Sequence, residues 1–212
     1  MKLPSRAVAL AAAAGLAAAP LMMASPALAA PGTTSLGEVL LADTTSEGNP
    51  SFDKNGGDFD ILTAAVLAVL GDNADSPVKV LLDGETTLTA FIPTDAAFER
   101  TAGDLDITAK NEANLTGKLV EALGLGNIEQ ILLYHVVPGV KINAKTAAES
   151  DGAKLPMANK QTVVVNVTKD GIFLKDKNKD LANPKVIVTD INKGNKQIAH
   201  AINRVLLPVL PA

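Results

Sequence analysis

Leu132-Leu133-Tyr134-His135-Val136-Val137-Pro138-Gly139 is the stretch on which the reading of this chain turns. Ile128, Ile131 and Leu132 recur at helical spacing, so Tyr134 and His135 come directly after an apolar helical face and before the Val-Val-Pro-Gly run. They are the chain's one tyrosine and one of its two histidines. A Tyr hydroxyl and a His ring at such a junction can be satisfied by neighbouring loops and simply brace the core. Were His135 and the second histidine, His200, adjacent in space, they could instead pair or bind a metal weakly.

Upstream, Phe59, Leu62, Val66, Leu67 and Leu70 share one helical face, with Asp58 available as N-cap and Gly71 as the stop. Val78 to Leu82 is a short apolar run, and Thr86 to Ile92 reads as a strand that Pro93 ends. Thr94 is placed to cap a short helix through Phe98, with Asp95 in its first turn complementing the dipole. Leu115, Leu119 and Leu123 line a further helix. Downstream the character changes: Thr162 to Val167, Ile172 to Leu174, Val186 to Thr189 and Val205 to Leu207 are short apolar or β-branched runs that read as strands. His200 lies within Ile198 to Ile202, an alternating apolar and polar run. Helices first and strands later predict an α+β domain without internal repeats.

The amino end carries the three zones of an export signal. Lys2 and Arg6 form a positive head, Ala7 to Ala24 is an uncharged apolar stretch interrupted by Pro20, and Ala27-Leu28-Ala29 offers small residues to a signal peptidase. Cleavage after Ala29 is expected; the alternative is a retained anchor. Removing 29 of 212 residues leaves 183, and losing Lys2 and Arg6 takes the basic residues from 19 to 17 against 23 acidic ones. An acidic chain without a basic patch is a poor match for nucleic acid or anionic lipid. The organisation read from this is a signal peptide at 1–29, an N-terminal extension at 30–57 with an apolar island at Leu36 to Leu41, and one domain at 58–212. After signal cleavage no stable membrane span is expected. The chain has no cysteine, which excludes disulfides, thiol chemistry and a lipoprotein anchor.

The inventory offers little for catalysis. Two histidines leave few imidazole ligands for a metal, and no Gly-x-Ser-x-Gly elbow presents a nucleophile. Gly124-Leu125-Gly126 has Glu129 where the third glycine of a dinucleotide loop belongs. Asp176, Asn178 and Asp180 alternate as at the start of a calcium loop, but Leu181 and Ile187 stand where glycine and glutamate are required, so a solvated hairpin loop fits better. Asn114-Leu115-Thr116 and Asn166-Val167-Thr168 fit the glycosylation pattern. No catalytic residue, cofactor or metal site is expected.

Three stretches together resemble the fasciclin domain. Thr89-Ala90-Phe91-Ile92-Pro93-Thr94-Asp95-Ala96-Ala97-Phe98 is similar to the family's first signature, Leu132 to Gly139 to its Tyr-His segment, and His200-Ala201-Ile202-Asn203-Arg204-Val205-Leu206-Leu207-Pro208 to its closing one. Asn203 stands where an aspartate is usual, and Gln197 replaces a glycine, which puts the local turn geometry in question. The resemblance covers about Phe59 to Pro208, and Ser35 to Asp58 looks like the leader of secreted bacterial members. It implies a compact wedge of β-strands packed with several helices, outside the cell and non-enzymatic, that adheres to an extracellular protein or a cell-wall polymer. It also implies partner binding around Tyr134 and His135. The competing readings are a secreted hydrolase using His135 or His200, and a carrier of a small apolar ligand.

Overall fold

Two strands with no exposed residue set the architecture, β1 (Leu88–Pro93) and β7 (Gln197–Ile202). They pair in parallel, Leu88 opposite Gln197 and Phe91 opposite His200. In this computed structural model, which describes residues 31–42, 44 and 49–210, they form the centre of a four-stranded sheet. β2 (Val136–Pro138) and β6 (Val186–Ile191) flank them in the order β2-β1-β7-β6. A second, antiparallel sheet is formed by β3 (Lys154–Pro156), β4 (Thr162–Thr168) and β5 (Gly171–Lys175).

The alternation of a strand's side chains divides the core into two layers. Leu88, Ala90 and Ile92 of β1, with Ala199 and Ala201 of β7, pack among helices. Phe91 and Ile202 point the other way, toward Val163, Val165 and Leu174 of the second sheet. The helices are α1 (Leu36–Leu41), α2 (Asp60–Asp72), α3 (Asp95–Asp104), α4 (Glu112–Leu123), α5 (Leu125–Leu133) and the small α6 (Ala144–Ala148). The α+β class expected from the sequence is the class observed.

Several local expectations are corrected. Asp58 does not cap α2: the cap position is Phe59, without a side-chain bond. The carboxylate of Asp95 instead accepts from the amides of Asp60 (3.0 Å) and Ile61 (2.9 Å), so a residue of the next helix satisfies the free donors of this one. Thr94 makes no side-chain cap either, and α3 runs on to Asp104 rather than stopping at Phe98. Val78 to Leu82 lies in a 3-10 helix (Pro77–Leu82), opened by the Ser76 hydroxyl accepting from Val78 N. Val205 to Leu207 is not a strand. Its amides donate to side chains, Val205 to Thr101 Oγ1, Leu206 to His135 Nε2 and Leu207 to Asp176 Oδ2, so none is left for a neighbouring strand. The export signal and the bond after Ala29 lie outside the described residues. Among those described, no helix is long and apolar enough to cross a membrane.

The extension is tied to the far end of the chain. Gly32 N donates to Gly194 O, and Lys196 N donates to Gly32 O. Ser35 and Glu38 form a reciprocal capping box at the start of α1. Leu36 and Leu40 are buried in the same core as α2, α5 and β1. Gln197, in the middle of the protein with no exposed surface, accepts from Leu36 N at 2.7 Å. Its amide also donates to the carbonyls of Val80 and Asp83, both at 2.8 Å. Gln197 therefore sits at the start of β7 and clamps α1 to the 3-10 helix.

Candidate functional site

Tyr134 is the last turn of α5 and His135 the link into β2, so a helix end and a central-sheet strand fix the pair between them. Both side chains are interior: Tyr134 has 0% exposure and His135 5%. The Tyr134 hydroxyl donates to Thr162 O at 3.2 Å, reaching across to the second sheet. Burial, with the Asp176 carboxylate nearby, pushes its pKa up to about 12.

His135 uses both ring nitrogens on backbone. Nδ1 lies 2.7 Å from Ile131 O and must donate to it, which leaves Nε2 free to accept from Leu206 N at 3.0 Å. The ring is thus held neutral in one tautomer, and burial lowers its pKa to about 4. His200 is arranged the opposite way round. Its Nε2 donates to Ile142 O at 2.7 Å, while Nδ1 faces Asp190 N at 3.4 Å. It stacks on Phe91 with ring centroids 5.9 Å apart, and burial lowers its pKa too.

The surface nearest the Tyr-His pair is the turn that follows it. Pro138, Gly139, Val140 and Lys141 are all exposed. Gly139 adopts φ +75°, a left-handed conformation that glycine takes without strain and that brings the chain out of β2. Thr89 secures the return: its hydroxyl donates to Val140 O and accepts from Ile142 N, each at 2.8 Å. Asp176 and Asn178, singled out by their spacing, are used in chain turns. Asp176 accepts from Asn178 N and Leu207 N, and Asn178 from Asp180 N and Leu181 N.

Beside His135 the structure opens an apolar cavity of about 280 Å³. Ile61 and Ala65 of α2, Phe98 of α3, Leu119 and Leu123 of α4, Ile131 of α5 and the tail residue Leu207 line it. No spacing in the sequence marks these residues as a set, because each belongs to the ordinary apolar face of its own helix.

The family described as Fasciclin domain matches residues 66–208, more than half of the 212-residue chain. No curated protein matches the sequence. Among solved structures the chain is similar to a FAS1 domain pair from the insect cell adhesion molecule Fasciclin I. That similarity has 20% identity and a TM-score of 0.45 over 73% of this chain, and the chain spans 46% of the other's length.

Proposed function

Because this chain belongs to the fasciclin domain family, a family associated with cell adhesion, we propose that it is an exported, non-enzymatic binding module for an extracellular protein or a cell-wall polymer. The family match over residues 66–208 carries the reading. In this account the signal is removed after Ala29, the extension 30–57 and the domain 58–212 make up the mature chain, and no membrane span remains. Gly32 is the first residue with a backbone hydrogen bond among the described residues, so a cut after Ala29 spares the ordered leader. The engagement of all four histidine ring nitrogens by backbone argues against the hydrolase alternative, which needs a free base.

Tyr134 and His135 act in this account by positioning the Val136–Val140 segment, whose exposed turn meets the partner. Labelled chain added to intact cells or envelope fractions is expected to bind saturably. Val140→Asp, at a side chain 48% exposed, lowers retention at least fivefold without moving the melting temperature. No saturable retention of the wild-type chain would sink the adhesion reading.

The cavity supports a second reading, a carrier of a small apolar molecule. Its volume of about 280 Å³ is near the lower bound of small-ligand sites. Native mass spectrometry of gently purified chain is then expected to show an apolar adduct that Ala65→Phe removes by filling the space. Bare protein throughout, including after incubation with fatty acids or isoprenoids, counts against it.

A further inference from the structure

Away from the Tyr-His segment, acidic residues from three separate parts of the chain converge where α2 and α3 begin. Oxygens of Asp60, Asp95 and Glu112 lie within 4.8 Å of one another, and Asp60 shares a second such group with Asp53 and Asp58. Asp60, Asp95 and Glu112 are buried, Asp58 is half-buried and Asp53 is exposed, so the cluster runs from the interior to a solvent-facing rim.

Part of this is ordinary capping. Asp95 holds the first amides of α2, and Asp60 accepts from Ser51 N at 3.1 Å and Asp53 N at 3.3 Å. Glu112 is different. Its side chain is 5% exposed and its Oε2, fully shielded from solvent, has no hydrogen-bond partner. Both Asp58 oxygens are shielded from solvent with no N–H or hydroxyl group donating to them, and its carboxyl faces that of Asp95 closely enough to share a proton. Among the described residues no lysine or arginine forms an ion pair with any of the five. Buried anionic oxygens without a donor are costly, and they are found where a proton or a cation supplies the missing partner.

We propose that Asp58, Asp60, Asp95 and Glu112, with Asp53 at the rim, form a calcium site. Three oxygens within 4.8 Å fit around one ion with Ca–O distances of about 2.3–2.6 Å. An all-oxygen donor set without His or Cys selects a hard cation, and an irregular set of carboxylates suits calcium better than octahedral magnesium. Capping does not conflict with ligation, since a carboxylate oxygen has two lone pairs and can accept from an amide while binding the ion. The site has no linear motif because Asp58 and Asp60, Asp95 and Glu112 come from segments tens of residues apart.

The test is calorimetric titration of CaCl2 into the EDTA-treated full mature chain at pH 7.5, with MgCl2 as comparator. One calcium per chain is expected, with a Kd of about 10⁻⁴–10⁻³ M, as in extracellular calcium modules. Glu112→Gln and Asp58→Asn each weaken it at least tenfold. In EDTA, Glu112→Gln melts no lower than wild type, because it removes an unpartnered charge; a purely structural glutamate would melt lower. Should Glu112→Gln fail to fold, Asp58→Asn at the half-buried rim decides. No saturable binding up to 10 mM calcium, undiminished binding in the variants, or magnesium binding as tight as calcium each overturns the proposal.

Discussion

Gln197→Ala is expected to lower the unfolding free energy by about 2–4 kcal/mol, because it strands a buried amide and empties interior volume. The side chain has 0% exposure and satisfies three backbone groups, the amide of Leu36 and the carbonyls of Val80 and Asp83. Each buried group left unpaired costs about 1–3 kcal/mol. Of the three, Leu36 N is left without an acceptor, whereas Val80 O keeps Asp83 N and Asp83 O keeps Thr86 N as donors, so the rest of the cost is the emptied volume and the loosened hold on α1. Urea unfolding measures the loss directly. Gln197→Glu keeps the size and the acceptor but turns an anionic oxygen toward two carbonyls, so it should be no milder than alanine. A cost under about 1 kcal/mol for Gln197→Ala would mean the clamp is not holding the leader.

His135→Ala comes next, at about 2–3 kcal/mol, since it strands Leu206 N in the interior, removes one of the donors on Ile131 O and empties the volume of the ring. For a chain of this size that is a fall of roughly 4–12 °C in melting temperature. The same residue has a pH signature of definite sign. Its folded pKa of about 4 lies below the ordinary 6.5, so the folded state resists protonation that the unfolded state accepts. Its stabilising contribution is complete above pH 6.5 and is lost as pH falls through about 4. That window is worth about 3 kcal/mol. His200 is shifted in the same direction, while Asp95 and Glu112, raised by burial, contribute oppositely and gain stability as pH falls. The difference between wild type and His135→Gln isolates the residue: wild type should lose about 3 kcal/mol more between pH 7 and 4. Parallel stability curves would show that His135 already accepts its proton inside the fold.

What the sequence made legible followed from repeating local signals. The faces of α2, α4 and α5 and the β-branched runs of β4 and β5 carry enough turns or alternations to be read alone. β2, β3 and α6 have three to five residues, too few for any period to appear. Val205 to Leu207 has strand composition, but its amides are taken by side chains about 30 to 100 residues away in sequence. The Tyr-His pair was visible as a motif, yet its burial was not, because what covers it is the tail at Leu206 and the start of the central strand β4 at Thr162. Asp58 had the right type and place for a cap, and Asp95 displaced it through a contact 35 residues long in sequence. The leader was legible as an apolar island, whereas its anchor Gln197 lies 161 residues downstream of Leu36.

That last span governs the order of assembly. β1 finds its parallel neighbour only in β7, and the leader finds its anchor only at Gln197, so the central sheet has no partial version made from the first half of the chain. Contacts this distant in sequence close late and slowly. The core therefore stays open until nearly the whole polypeptide is present, and the first half of the chain has no folded sheet of its own to collapse onto.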